Sequence, residues 1–180
     1  MRALSHVLGR KVGGSTGTNL WACVQLAQEM ARHGITVELR TSEGAADNLL
    51  LLSEGGADLG FVQGGSGALG PEAQAHLVSL GSLFVEPLWL FYREDSARRL
   101  KGGPPTALTD LKGWRVNVGT PGSGVPQLFR RLLEANRLSP ADLRLQQLEQ
   151  TPGTMAFLDG TVDAVVFASA PEARMVQMLL

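Results

Sequence analysis

The sequence predicts a doubly wound α/β protein made of two similar halves. Three observations carry that expectation: helix-like and strand-like segments alternate along the chain, two glycine-rich turns each lead into an amphipathic helix, and the two halves align at a single offset.

The composition suits such a fold. In 180 residues, 44% hydrophobic content with 22 Gly and 9 Pro supplies a core for one compact domain or two small lobes. Lys+Arg 16 against Asp+Glu 17 leaves no electrostatic footprint for nucleic acid or an anionic membrane. Cys23 is the single cysteine, so no internal disulfide framework is expected, and neither a structural metal site nor a cofactor. No run approaches the ~20 apolar residues of a membrane helix, and residues 1–11 lack a signal-type apolar stretch.

The elements follow in order. Cys23, Val24, Ala27 and Ala31 recur at helical spacing before Gly34, which predicts a helix over 18–33. Residues 35–40 alternate apolar and polar, as a strand with one buried face does. The Leu-rich stretch 48–54 reads as a helix stopped by Gly55 and Gly56, and the nearly all-apolar 57–62 as a strand of a parallel sheet. After a glycine-rich loop over 63–70 come a helix opened by Pro71 and strands over 77–84 and 87–92. The stretch 93–106, charged and then rich in Gly and Pro, marks a boundary, and its basic residues read as a solvated face. Beyond it, strands over 114–118, 143–148 and 162–167 alternate with helices over 125–136 and 154–159.

A shift of 105 residues lays 14–18 on 119–123, the pair Glu54 and Gly55 on Asp159 and Gly160, and Asp58 on Asp163. Each glycine-rich turn hands over to a helix, where unpaired backbone N–H groups and the positive dipole end favour an anion. Ser15, Thr16, Thr18, Thr120 and Ser123 would add hydroxyls, while Gly17 and Gly122 would let a ligand approach the backbone. Taken singly, the same residues serve as helix caps and turn formers. Their occurrence as a pair favours binding. Ser42, Asn48, Gln63 and Ser169 lie where predicted strands end, the edge at which open α/β sheets bind ligands, though each also reads as a cap or loop residue.

Other motifs are weaker. Residues 65–70 match the dinucleotide string Gly-x-Gly-x-x-Gly, with Glu86 at about the expected distance of ~20 residues, but in so glycine-rich a chain the string reads first as a turn. Residues 13–17 fit Gly-x-Ser-x-Gly, which would make Ser15 a nucleophile. His6, His33 and His76 offer no base in a convincing place, so no catalytic set emerges. Trp21, Trp89 and Trp114 read as core or hinge residues before ligand-stacking ones, and Cys23 as a core residue.

The segments at 37–49, 57–63, 108–119 (Leu-Thr-Asp-Leu-Lys-Gly-Trp-Arg-Val-Asn-Val-Gly) and 157–164 together resemble the TAXI family of TRAP-transporter solute-binding proteins, of the type II periplasmic binding protein superfamily. The resemblance runs over nearly the whole chain. It implies two α/β lobes joined by two crossing strands: lobe 1 over 1–89, lobe 2 over 90–168, and a return helix toward lobe 1 over 169–180. It implies a non-enzymatic receptor closing on an anionic or zwitterionic solute, such as a glutamate-like amino acid or a dicarboxylate. Ser15, Thr16, Gly17, Thr18, Asn19, Ser42, Asn48, Gln63, Gly64 and Gly65 would line one wall, and Thr120, Gly122, Ser123, Gly124 and Ser169 the other. The expected partners are the solute and the permease subunits of a TRAP transporter, and the expected location is the periplasm, free or anchored to the membrane. Three features depart from the family. The residues after Gly17 and Thr18 are Asn19 and Leu20 rather than aromatics, the first strand is blurred by Arg10 and Lys11, and the C-terminal part of the first lobe is missing beyond Leu180. That ending implies either a shortened chain or a first lobe with an exposed edge. An effector-binding domain of the LysR type, or an enzyme on a related scaffold, is the competing expectation.

Overall fold

The computed structural model describes residues 14–66, 70, 72, 75–83, 85–100 and 103–180, with side chains from residue 22 onward. Its sheet comes from the chain beyond residue 87. Strands β1 (Leu88–Tyr92), β2 (Arg115–Asn117), β3 (Arg144–Gln146) and β4 (Ala164–Ala168) lie in the order β1-β4-β2-β3. β2 runs parallel to β3 and to β4, while β1 is antiparallel to β4, with Trp89 opposite Phe167 and Phe91 opposite Val165.

Two crossovers cover the faces. Helix α4 (Val125–Ala135) joins β2 to β3, and α5 (Gln150–Leu158) joins β3 back across β2 to β4. Right-handed connections that leave in opposite directions put their helices on opposite faces. The core divides accordingly. Phe129 and Leu133 of α4 pack with Val116, Ala164 and Val166, whereas Ala156 and Phe157 of α5 pack with Val165 and Phe167. Successive residues of β4 therefore feed two different cores, which is why this strand reads as an unbroken apolar run.

The amino-terminal ends of the parallel strands are held by charge. Asp163 enters β4 only 4% exposed and accepts from the Arg115 side chain and backbone N–H, the Ser96 hydroxyl and the Arg99 guanidinium. Ser96 belongs to the short helix α3 (Glu94–Ala97). Arg93 donates to the Phe157 and Leu158 carbonyls at the end of α5, where a cation suits the helix dipole. The stretch expected to be a solvated face thus carries two arginines that tie elements together.

The first half differs from expectation. Helices α1 (Gly14–Arg32) and α2 (Ala45–Ser53) form where helical periodicity predicts them, each starting a few residues earlier than expected. The predicted strands 35–40, 57–62 and the described part of 77–84 join no sheet. An alternating pattern specifies which face a strand would bury, but a strand exists only where a neighbour lines up its backbone. Among the described residues before Ser96, only Ser66 is buried. The helix opened by Pro71 falls largely outside the described residues.

Beyond the sheet, α6 (Arg174–Leu179) closes the C-terminal end, with Val176 buried and Met175 and Leu179 packed on the α5 side. Among the described residues, no helix is long and apolar enough to cross a membrane.

Candidate functional site

The carboxyl ends of β2, β3 and β4 share one edge, and strand order reverses between β2 and β4. A crevice for ligands forms outside such a reversal. The segment leaving β2 there is Gly119, Thr120, Pro121, Gly122, Ser123 and Gly124. Gly119 turns with φ of 81°, a conformation that costs a non-glycine residue about 1–2 kcal/mol. Ser123 braces the turn by donating both its hydroxyl, at 2.8 Å, and its backbone N–H, at 3.1 Å, to the Thr120 carbonyl. Gly124 then caps α4 with no side-chain bond to the first N–H groups, so the positive end of this helix faces the turn region uncapped by any hydroxyl.

Two segments of the first half close on this turn. The Ala46 N–H donates to the Gly122 carbonyl at 3.3 Å, and a Cβ on Gly122 would lie 2.5 Å from the Cβ of Glu43. A Cβ on Gly124 would lie 2.8 Å from the Cβ of Ser66 and would overlap the side-chain oxygen of Gln63. Gly65, at φ of 82°, rests against Leu128 of α4. Glycine at 122 and 124 is therefore a packing requirement, since any side chain would drive the two segments apart.

The polar groups around this meeting point are already engaged. Gln63 donates its amide nitrogen to Glu86 at 2.9 Å, and Ser66 donates its hydroxyl to the Gln63 carbonyl at 2.6 Å. Asn48 donates to the Phe61 carbonyl at 2.8 Å, tying α2 to the extended stretch that follows it. Burial pushes the Glu86 carboxyl above its ordinary range, and the Gln63 bond offsets only part of that. On the same edge, Ser169 directly follows β4. Its N–H donates to Pro87, its carbonyl accepts from the Trp89 indole, and it is 1% exposed with a hydroxyl that finds no partner.

Of the residues predicted from sequence, the structure brings Gln63, Gly64, Gly65, Thr120, Gly122, Ser123 and Gly124 together. Ser42 and Asn48 flank the Glu43 contact, and Ser169 lies along the same edge of the sheet. Ser15, Thr16, Gly17, Thr18 and Asn19 fall in the first turns of α1, and their side chains lie outside the described residues. So do 67–69 of the dinucleotide-like string. His33 is exposed and lies 3.7 Å from Glu29, and His76 is exposed. Burial pushes the Cys23 thiol up, which disfavours the reactive thiolate. Sequence reasoning missed Ser66, Asn117 and the site placement of Glu86. The signal for Glu86 was an acid set between apolar residues, immediately before Pro87.

Residues 12–180 match the model of the NMT1-like family. The chain belongs to the NMT1-like family. Its fold is similar to that of periplasmic solute-binding proteins. The alkanesulfonate-binding protein SsuA from Xanthomonas axonopodis pv. citri, bound to MOPS, shares 25% identity over 87% of this NMT1-like chain and 51% of its own length, with a TM-score of 0.50. The periplasmic aliphatic sulphonate binding protein SsuA from Escherichia coli shares 26% identity over 47% of this chain and 24% of its own length, at a TM-score of 0.37. The NMT1-like chain thus spans about half or less of the length of these relatives.

Proposed function

We propose that this chain belongs to a solute receptor of the periplasm, which captures a small anionic or zwitterionic molecule and presents it to a membrane transporter. The closure of the first-half segments on Gly122 and Gly124, at the strand reversal and the uncapped start of α4, carries the reading. Family membership supports a binding role rather than catalysis. In this reading the chain forms two lobes over 1–89 and 90–168 with a return helix over 169–180. Ser15 to Asn19, Ser42, Asn48 and Gln63 to Gly65 form one wall, and Thr120 to Gly124 with Ser169 the other. A ligand touching both walls stabilises the closed arrangement by the contacts it makes only there. The finer assignment, a TAXI receptor of a TRAP transporter, rests on the four sequence segments that resemble that family.

The test is a thermal-shift panel of amino acids, dicarboxylates and sulfonates, followed by calorimetry on any hit. A true ligand raises the midpoint by mass action. Replacing Thr18 or Ser123 by Glu is expected to abolish that shift. Folded protein that responds to no member of the panel overturns the reading.

A further inference from the structure

The Glu86 carboxylate adds a chemical preference to the proposed site. Glu86 directly precedes Pro87 and β1, on the edge where β2 and β4 end. It is half-buried, and among the described residues its one polar partner is the neutral Gln63 amide, with no salt bridge to Lys, Arg or His. Carboxylates removed from water normally acquire a cationic partner or several donors. The Gln63 amide shows the local polarity: its nitrogen points to Glu86, while its oxygen lies against Gly124 at the start of α4. The amide therefore lies as a dipole between a negative pole and a positive one. A ligand carrying both charges would satisfy the same two poles more strongly than a neutral amide does.

We infer that Glu86 is a specificity-determining residue that receives a protonated nitrogen, so that the solute is a zwitterion with an anionic group directed to the α4 start rather than a simple dianion. This inference rests on the receptor reading above. A dianion would bring a second negative charge toward a carboxylate that has no salt-bridging cation among the described residues, which penalises that class.

Calorimetry with two matched ligand pairs tests it: L-glutamate against glutarate, and taurine against ethanesulfonate. Within each pair only the amino group differs. The wild-type protein is expected to bind the aminated member of at least one pair about tenfold or more tightly than its partner, the size of a charge-assisted hydrogen bond. Glu86→Gln is expected to reduce that preference to about twofold, both by weakening the aminated member and by relieving the repulsion of the unaminated one. The wild-type comparison needs no variant, so it decides the matter even if Glu86→Gln fails to fold. Binding of the unaminated members as tightly as the aminated ones overturns the Glu86 assignment and leaves the receptor reading standing. Binding of none of the four by folded protein, with no hit in the wider panel, overturns both.

Discussion

Asp163 and Arg115 are locked together across β4 and β2: the guanidinium reaches both carboxylate oxygens at 3.0 Å, and the Arg115 N–H adds a third bond at 2.9 Å. Burial alone would raise the Asp163 carboxyl. The bonds from Arg115, Ser96 and Arg99 overcome it and hold the group well below the usual carboxylate range. A depressed folded-state pKa contributes stability that is present above the unfolded value of about 3.9 and is lost as pH falls from there toward the folded one. Asp163→Asn is therefore expected to lower stability at neutral pH by about 2–4 kcal/mol, since it leaves two arginines facing a neutral amide. It should also flatten the acid limb of a plot of unfolding free energy against pH. Urea melts between pH 3 and 7 check both, and an acid limb as steep as in the wild type would contradict the role assigned to Asp163.

The contact at Gly124 makes a second prediction. A methyl group there meets the Cβ of Ser66 at 2.8 Å and displaces the Gln63 side chain, so Gly124→Ala must push the 63–66 turn off α4. Overpacking of this kind costs about 1–3 kcal/mol. The loss should fall mainly on the turn and on ligand binding, because the buried sheet core lies elsewhere. Hydrogen exchange at the Ser66 N–H, which donates to Gln63, is expected to accelerate. Unchanged exchange and unchanged ligand affinity in this variant would show that the two segments do not depend on each other.

A third prediction concerns Asn117, the buried amide at the end of β2. Its oxygen accepts the Leu148 N–H at 2.8 Å and its nitrogen donates to the Leu148 carbonyl at 3.3 Å, fixing the loop that leads from β3 into α5. Gly153 of α5 sits against the same amide so closely that a side chain would collide with it. Asn117→Leu keeps the branched outline in a larger volume and strands both Leu148 backbone groups, at a cost of about 2 kcal/mol or more. Thermal melts should show the loss, and exchange of the Leu148 N–H should rise with it. Full protection of Leu148 in the variant would refute the anchoring role.

How far these relationships were legible in the sequence differs between the halves. In the second half every predicted strand and helix is present, within a few residues of its expected ends, because each strand finds its neighbour through a short crossover and the central pair, β2 and β4, is buried between the helices. The Asp58 and Asp163 repeat shows where the reading stops. Both acids precede apolar runs, yet Asp163 meets Arg115, Ser96 and Arg99 while Asp58, exposed before a stretch that joins no sheet, meets no hydrogen-bonding side chain among the described residues. Periodicity records a residue's face and is silent about its partners. The glycine turn at 119–124 was legible because close backbone approach demands residues without side chains. Glu86 was not, because a lone carboxylate has no spacing signature until the fold brings Gln63 beside it.

The last prediction concerns the segment before β1. Val78, Leu80, Leu83 and Val85 are 84%, 85%, 70% and 87% exposed, an unusual concentration of apolar surface in an extended stretch with few internal backbone bonds. Unpaired extended backbone with apolar side chains is a template for adding another strand, and aggregation is the expected consequence in isolated protein. Because these side chains contribute little to either core, replacing Val78 and Leu80 by Lys should change the unfolding free energy by no more than about 0.5 kcal/mol. The same double substitution should suppress light scattering on concentration, since charge on an extended edge opposes pairing. A double variant that loses stability outright would mean that these side chains are buried in solution, and one that aggregates as readily as the wild type would place the sticky surface elsewhere.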